Sequence, residues 1–169
     1  MARNEWFDDY YDAVYSYILL QVKHIQTAED LAQETFIKVF SNEHQFNGQS
    51  SKKTWIFRIA YTTTMSYFRK KHPILHFIDL PNHTAAHSST EEIALLNTQQ
   101  KQFYEALSRL KPSYQQVITL RKIQEFSTKE TSTILNYSEG KVKMSLSRAL
   151  KAFKKELEKG GFTIETLIR

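Results

Sequence analysis

Cysteine is absent from the 169 residues, so neither a disulfide framework nor a thiolate metal site can be built. Glycine (4) and proline (3) are scarce, which leaves few residues to turn hairpins or break helices and points to an all-α chain. No apolar run approaches the ~20 residues of a helical membrane crossing. The opening Met1-Ala2-Arg3-Asn4-Glu5 also lacks the basic, apolar, then small order of a secretory signal. These absences set the expectation of a cytoplasmic protein with no direct membrane insertion. Missing too are a Ser-His-Asp pattern, a glycine-rich phosphate loop and a paired-carboxylate site, so no catalytic residue, cofactor or enzymatic reaction is expected. Six histidines are present. His83 and His87 are four apart in a stretch with no assured helix, and Pro73 keeps His72 and His76 off a shared helical face. With no cysteine or acidic cluster beside them, no metal site is expected.

Charge is plentiful but unevenly placed. Residues 1–48 carry a net −5, residues 49–72 carry +6 with no acid at all, residues 73–110 carry −2, and residues 111–160 carry +6. Two separate basic blocks behind an acidic front suggest two nucleic-acid surfaces and one surface for a different partner.

The apolar pattern divides the chain into helices. Phe7, Tyr10, Tyr11, Val14, Ile18 and Val22 form one stripe at helical spacing. Thr27, with Asp30 at the third helical position, predicts the cap of a second helix running to about Phe40. Phe46-Asn47-Gly48-Gln49-Ser50-Ser51 reads as a loop, and Ser51 or a neighbour caps a third helix through Lys71. Pro73 and Pro81 bracket a weakly periodic stretch to Thr90, read as a flexible linker. Helical spacing resumes from Glu91 to Leu110, and Pro112 suits the first turn of a helix to about Gln124. Ser127-Thr128-Lys129-Glu130 is a full capping box for a short helix ending near Leu135. After Asn136-Tyr137, Ser138 caps a long helix to about Lys159, and Gly160-Gly161 ends it.

The last two helices have the spacing of a helix-turn-helix. Val142, Leu146, Ala149, Leu150, Phe153 and Leu157 share one face of the second, whereas Lys141, Met144, Arg148, Lys151 and Lys155 lie opposite. Such a helix turns its apolar side inward and its cations toward phosphates and base edges. In the third helix, Trp55, Arg58, Thr62, Ser66 and Arg69 fall within about 60° of arc, opposite Ile56, Ala60, Thr64 and Tyr67. An aromatic interleaved with arginines suits a single-strand platform, since bases stack on rings while cations hold the backbone. In the second helix Leu31, Ala32, Thr35 and Val39 form the inner face. Asp30, Gln33, Glu34 and Ile37 cluster outside, an apolar centre with a polar surround as in a protein-docking surface.

Three motifs carry a family resemblance. Ala28-Glu29-Asp30-Leu31-Ala32-Gln33-Glu34-Thr35-Phe36-Ile37-Lys38 resembles the polymerase-binding motif of extracytoplasmic-function (ECF) RNA polymerase sigma factors. Lys53-Thr54-Trp55-Ile56-Phe57-Arg58-Ile59-Ala60, followed by Arg69-Lys70-Lys71, resembles that family's promoter-melting and −10 segment. Leu110-Lys111-Pro112, Val117 to Arg121, Ser127 to Leu135 and Gly140-Lys141-Val142-Lys143 resemble its −35-reading module. The matches stand in the family's order over roughly residues 7–157.

The resemblance implies two small helical domains, 1–72 (sigma region 2) and 91–160 (sigma region 4, a helix-turn-helix), with a linker at 73–90 and a tail at 161–169. It implies a sigma factor that binds the core polymerase and directs promoter-specific initiation, an alternative stress- or envelope-responsive factor controlled by an anti-sigma protein. Asp30, Gln33, Glu34 and Ile37 would meet the polymerase clamp helices. The loop from Phe46 to Thr54, with Phe46, Asn47, Gly48, Ser51 and Lys53, would capture a base extruded from the −10 non-template strand, as base-flipping proteins do; Arg58, Thr62 and Arg69 would follow its backbone, and Trp55 and Lys70 would belong to the same −10 site. Ser127, Thr128, Ser138, Lys141, Lys143, Met144, Arg148 and Lys151 would serve the −35 duplex. The chain departs from the family pattern at Ala60-Tyr61-Thr62 and Ser66, where Ala-Arg-Asn and an Asp are usual, and at Lys141, Met144 and Ser145 in the recognition helix. Lys52 stands where the capture loop usually has an aromatic. The rival reading is a stand-alone helix-turn-helix regulator on duplex operator DNA, which would need a ligand pocket or dimer seam where this chain has an acidic docking helix. A helical adaptor that binds only proteins would leave both basic faces unexplained.

Overall fold

The structure, a computed structural model, describes residues 2–71 and 97–161, with side chains from Glu5 onward. The proposed linker 73–90, its prolines and histidines, and the tail beyond Gly161 lie outside the described residues. The described chain is helical without strands: α1 (Ala2–Val22), α2 (Ile25–Ser41), α3 (Lys52–Lys71), α4 (Thr98–Ser108), α5 (Pro112–Ile118), α6 (Thr128–Leu135) and α7 (Glu139–Lys159).

The first module packs α1, α2 and α3 together. Lys23 takes the left-handed conformation (φ 56) and its N–H returns to the Leu19 carbonyl at 2.8 Å, which turns the chain sharply into α2. The cap of α2 is His24 rather than Thr27. His24 is extended, and its Nδ1 accepts the Thr27 N–H at 3.2 Å, so Thr27 occupies the third helical position instead. An imidazole nitrogen can take the acceptor role usually filled by Ser, Thr or Asp. Leu31, Ala32, Thr35 and Val39 are buried as their spacing predicts. Ser51 caps α3 through its Oγ, which accepts the Thr54 N–H at 3.1 Å.

The buried arc of α1 differs from the expected stripe. Trp6, Val14, Tyr17, Ile18 and Gln21 are buried, whereas Phe7 stays 37 % exposed. A hydrophobic stripe reports one contact face, but α1 packs against α2, α3 and α5 at once, which rotates and widens its buried arc.

In the second module α5 and α6 rest on α7, and α4 packs along it. Asn97 and Gln100 form a reciprocal capping box, with Asn97 in an extended conformation. Helix α4 therefore begins at Thr98, and the expected helix does not run unbroken from Glu91 to Leu110. The expected single helix from Pro112 to Gln124 also changes character. Thr119–Ile123 form one π-helical turn, in which the Gln124 N–H reaches back to the Thr119 carbonyl at 2.9 Å. The wider turn, and Glu125 at φ 60, swing Phe126 into the interior. The Ser127–Glu130 capping box opens α6, Asn136 ends it in the left-handed conformation (φ 55), and Ser138 caps α7. On α7, Val142, Ala149, Phe153 and Leu157 are buried; Leu150, expected with them, is exposed because it lies at the edge of that arc.

The Ser127 hydroxyl accepts the Glu130 N–H at 3.0 Å while Glu130 accepts the Ser127 N–H at 2.7 Å. Ser127→Ala should therefore lower unfolding stability by about 1 kcal/mol, read as a shift in the urea midpoint with an unchanged slope.

Candidate nucleic-acid interface

Four surfaces carry the residues singled out by sequence. On α2, Asp30, Gln33, Glu34 and Ile37 are all exposed, and Ile37 is open to 66 %. That is far too much for a core residue, so its place is that of an unpartnered apolar centre. The surround is less acidic than the sequence suggests, because Glu34 pairs with Lys38 at 2.7 Å and Asp30 accepts from Gln26 at 3.2 Å.

The loop before α3 sits on an aromatic base. Trp6, Phe46 and Trp55 meet edge to face or tilted, with centroids 5.5 to 6.2 Å apart. Trp55 is thereby half-buried rather than a free stacking platform. Above this base Asn47, Gly48 and Ser51 are exposed, and Asn47 Oδ1 accepts the Gln49 N–H at 3.1 Å in a tight side-chain turn. Gly48 lies at φ +74 with open space where a Cβ would stand, so its glycine is a conformational requirement and not a steric one. Lys52 stacks over the Trp6 ring at 5.1 Å.

Along α3 the basic face divides in two. Thr62, Arg69 and Lys70 are exposed. Lys53 and Arg58, by contrast, reach into the second module: Lys53 Nζ donates to the Gln124 carbonyl at 3.3 Å and Arg58 Nη1 to the Ile134 carbonyl at 2.7 Å. Lys53 also lies 4.9 Å over the Phe126 ring, which meets Phe57 edge-on at 4.9 Å. Burial raises the Tyr61 phenol above its ordinary value, opposed by the nearby Arg58 and Arg69 charges.

The helix-turn-helix presents Ser138, Lys141, Lys143, Met144, Arg148 and Lys151 to solvent. Met144 is 55 % exposed in the middle of this cationic face, a position open to a thymine methyl. Lys141 Nζ rests 3.7 Å over the Tyr137 ring, which holds it at the start of the helix. On α6, Ser127 is exposed with its hydroxyl occupied in the cap, and Thr128 is half-buried. Among the described residues no group of His, Asp and Glu could hold a metal ion.

Spacing alone missed the contact between the modules. Tyr17, fully buried, donates its hydroxyl hydrogen to Gln116 Oε1 at 2.6 Å. Gln124 Nε2 reaches the Ala13 carbonyl at 3.5 Å, and Lys23 Nζ reaches the Ser108 carbonyl at 3.3 Å. Burial lowers the Lys23 ammonium below its ordinary value. Two signals were present: Gln115-Gln116 directly before the apolar Val117-Ile118 in α5, and Phe126 immediately before the α6 cap, where an apolar residue normally staples its own helix.

Comparison with known proteins gives a consistent picture. The sigma-70 region 2 family matches residues 6–73, and the sigma-70 region 4 family matches residues 100–153. The ECF RNA polymerase sigma factor SigX of Bacillus subtilis is 34 % identical over 158 residues, covering 90 % of this chain and 81 % of its own. The RNA polymerase sigma factor YlaC of the same organism is 31 % identical over 157 residues, covering 90 % of each. The fold is shared with the sigma factor RpoE from Bartonella quintana, solved in complex with the anti-sigma factor NepR. That match has a TM-score of 0.74 and 21 % identity, over 92 % of this chain and 96 % of that one.

Burial holds the Tyr17 phenol well above its ordinary value, with the Tyr61 charge adding to the effect and the Gln116 bond opposing it. In the unfolded chain the same phenol ionises near pH ~10. The stability it contributes is thus complete below that pH and is lost as pH rises through the higher folded value. Tyr17→Phe should flatten the fall in stability above pH ~10, measured as denaturation midpoints at increasing alkaline pH. Tyr61 and Tyr11, raised in the same direction, leave part of the slope in place.

Proposed function

The chain belongs to the ECF RNA polymerase sigma factors, and we propose that it joins core polymerase through α2, reads the −10 strand with the loop and α3, and reads the −35 duplex with α7. The observation that carries this reading is the presence of both sigma regions in one chain and in order, region 2 ahead of region 4. A stand-alone duplex regulator has no use for the first module, so that alternative is not favoured. As a sigma factor the protein performs no reaction of its own; polymerase does the chemistry, in the cytoplasm. No helix among the described residues is long and apolar enough to cross a membrane. Regulation by an anti-sigma protein belongs to the same proposal, supported by the shared fold with a sigma factor solved in such a complex.

The division of labour follows from the chemistry of each face. Ile37 offers a desolvatable centre, and Asp30, Gln33 and Glu34 surround it with groups that set orientation and partner choice. The loop at 46–51 offers a rim for an extruded base, and Arg69 and Lys70 offer donors for the strand beyond it, beside Thr62, whose hydroxyl hydrogen is held by the Arg58 and Ile59 carbonyls. On α7, Lys141 stands in the first turn, where recognition helices meet base edges. Arg148, two turns deeper, is placed for backbone phosphate.

Strand opening tests the reading as a whole. Permanganate footprints of promoter DNA should appear with core polymerase and this protein together, and with neither alone. Tight sequence-specific duplex binding by the free protein, indifferent to polymerase, would restore the regulator reading.

Reversing charge at both Asp30 and Glu34 to Lys should abolish co-purification with core polymerase while leaving the helical circular dichroism unchanged. Lys141→Ala should cost ~1–3 kcal/mol at one −35 base pair and relax preference there. Arg148→Ala should instead weaken all sequences alike and lower the salt slope by about one. Binding across single-base −35 variants at several salt concentrations separates the two roles.

A further inference from the structure

We propose that Met144 is a specificity-determining residue of the −35 surface: it reads the C5 methyl group of one pyrimidine, so that binding responds to that methyl whether thymine or 5-methylcytosine carries it. This rests on the assignment of α7 to the −35 duplex made above.

Among the described residues nothing accounts for a methionine at this place. The buried face of α7 is formed by Val142, Ala149, Phe153 and Leu157, and Met144 lies outside it. Four large apolar side chains are exposed among the described residues. Phe7 is stacked on Tyr11 at 4.6 Å, and Leu150 borders the buried arc of α7. Only Ile37 and Met144 are more than half exposed. A thioether held in water forgoes the burial that would stabilise the fold, as suits a contact completed by a partner.

The surroundings define that partner. Residues 140–155 contain six cations and no acid. On an ideal wheel Lys141 and Arg148 lie within about 60° of Met144 on one side, and Gly140 and Ser147 within about 60° on the other; all four are exposed. A surface that seats Met144 must therefore offer apolar area and dense negative charge together. The major groove does so: phosphates line its edges, and the thymine methyl is the one apolar group its base edges display. Methionine has no strong donor or acceptor, so it does not distinguish the hydrogen-bonding patterns of the base pairs. It distinguishes the presence of a methyl from its absence. Its unbranched, polarisable chain adapts to small shifts in where that group stands.

The position along the helix agrees. Helix α7 begins at Glu139 after the Ser138 cap, which puts Met144 in its second turn, and the N-terminal part of a recognition helix is the part that meets base edges. One turn earlier, Gly140 is bare for no internal reason: its φ is not positive, and an added Cβ would meet nothing within 4 Å. Glycine weakens a helix relative to alanine, so its use lies outside the fold. Bare backbone at Gly140, with the small Ser147 beyond it, lets this side of α7 approach the groove floor and leaves Met144 projecting between them.

The thioether is uncharged, so its contribution does not vary with salt as those of phosphate-bound cations do. Methylating a cytosine at the contacted position sets the same group at the same place in the groove and strengthens binding there.

The test uses the full chain assembled with core polymerase. Promoter-length duplexes of randomised sequence are selected, and each thymine of the enriched −35 element is replaced singly by deoxyuridine, which keeps every hydrogen-bonding group and removes only the methyl. At one position the exchange should weaken binding roughly threefold to fivefold, the effect of one buried methyl-sized contact, and by the same factor at each salt concentration. Met144→Ala should remove that penalty, and Met144→Leu, still apolar, should retain part of it. With cytosine at the same position, 5-methylation should tighten binding by a similar factor in the parent and leave Met144→Ala unchanged. No deoxyuridine penalty at any position, or an equal penalty in the parent and Met144→Ala, would overturn the methyl contact while leaving α7 as the −35 reader. No enrichment beyond that of core polymerase alone would overturn both.

Discussion

The contact between the two modules is the constraint to which the rest of the molecule answers. Tyr17 and Phe57 on one side meet Gln116 and Phe126 on the other. A module of about 65–70 residues buries only about 60 % of its unfolded surface and is correspondingly marginal. Closing one against the other removes two large rings and a tyrosine from water, at roughly 25 cal/mol for each Å² of apolar area. The polar bond within that patch restricts the geometry in which the modules can meet, because a slip would strand the Tyr17 hydroxyl and the Gln116 oxygen without partners.

Several local features make sense only with that contact in view. The π-turn at Thr119–Ile123 inserts one extra residue before Phe126 and so aims its ring out of its own module toward Phe57. Arg121 then holds the Phe126 carbonyl through Nη1. Arg58 and Lys53, which a single-module view would assign wholly to nucleic acid, spend their donors on backbone carbonyls of the neighbour. A helix-turn-helix that stood alone would need none of this.

Electrostatics organise the outer surfaces in a different way. The acid-free run at 49–72 and the cationic face of α7 stay positive because their cations are not paired with carboxylates of the same faces. On α2 the reverse holds: Glu34 is neutralised by Lys38, which leaves Ile37 as the most distinctive feature of that helix. In the proposed docking, this apolar anchor would act together with the polar surround of Asp30, Gln33 and Glu34.

Much of the fold was legible without coordinates. The capping box at Ser127–Glu130, the Ser138 and Ser51 caps, the buried stripe of α2 and the exposed cations of α7 all follow from short-range rules: side-chain donors and acceptors within four residues, and a 3.6-residue period. The His24 cap escaped because imidazole is an uncommon acceptor there, and the π-turn because an inserted residue leaves no local mark. The candidate faces could be located by the same periodicity, since exposure of Asp30, Ile37, Lys141 or Arg148 is decided within one helix. By contrast, the buried arc of α1, the engagement of Trp55 with Trp6, and the diversion of Lys53 and Arg58 to carbonyls of Gln124 and Ile134 were decided by the tertiary structure alone. These contacts join residues between 49 and 111 positions apart. Periodicity states that a side chain faces inward or outward, but which neighbour it meets there depends on how separate helices are brought together in space.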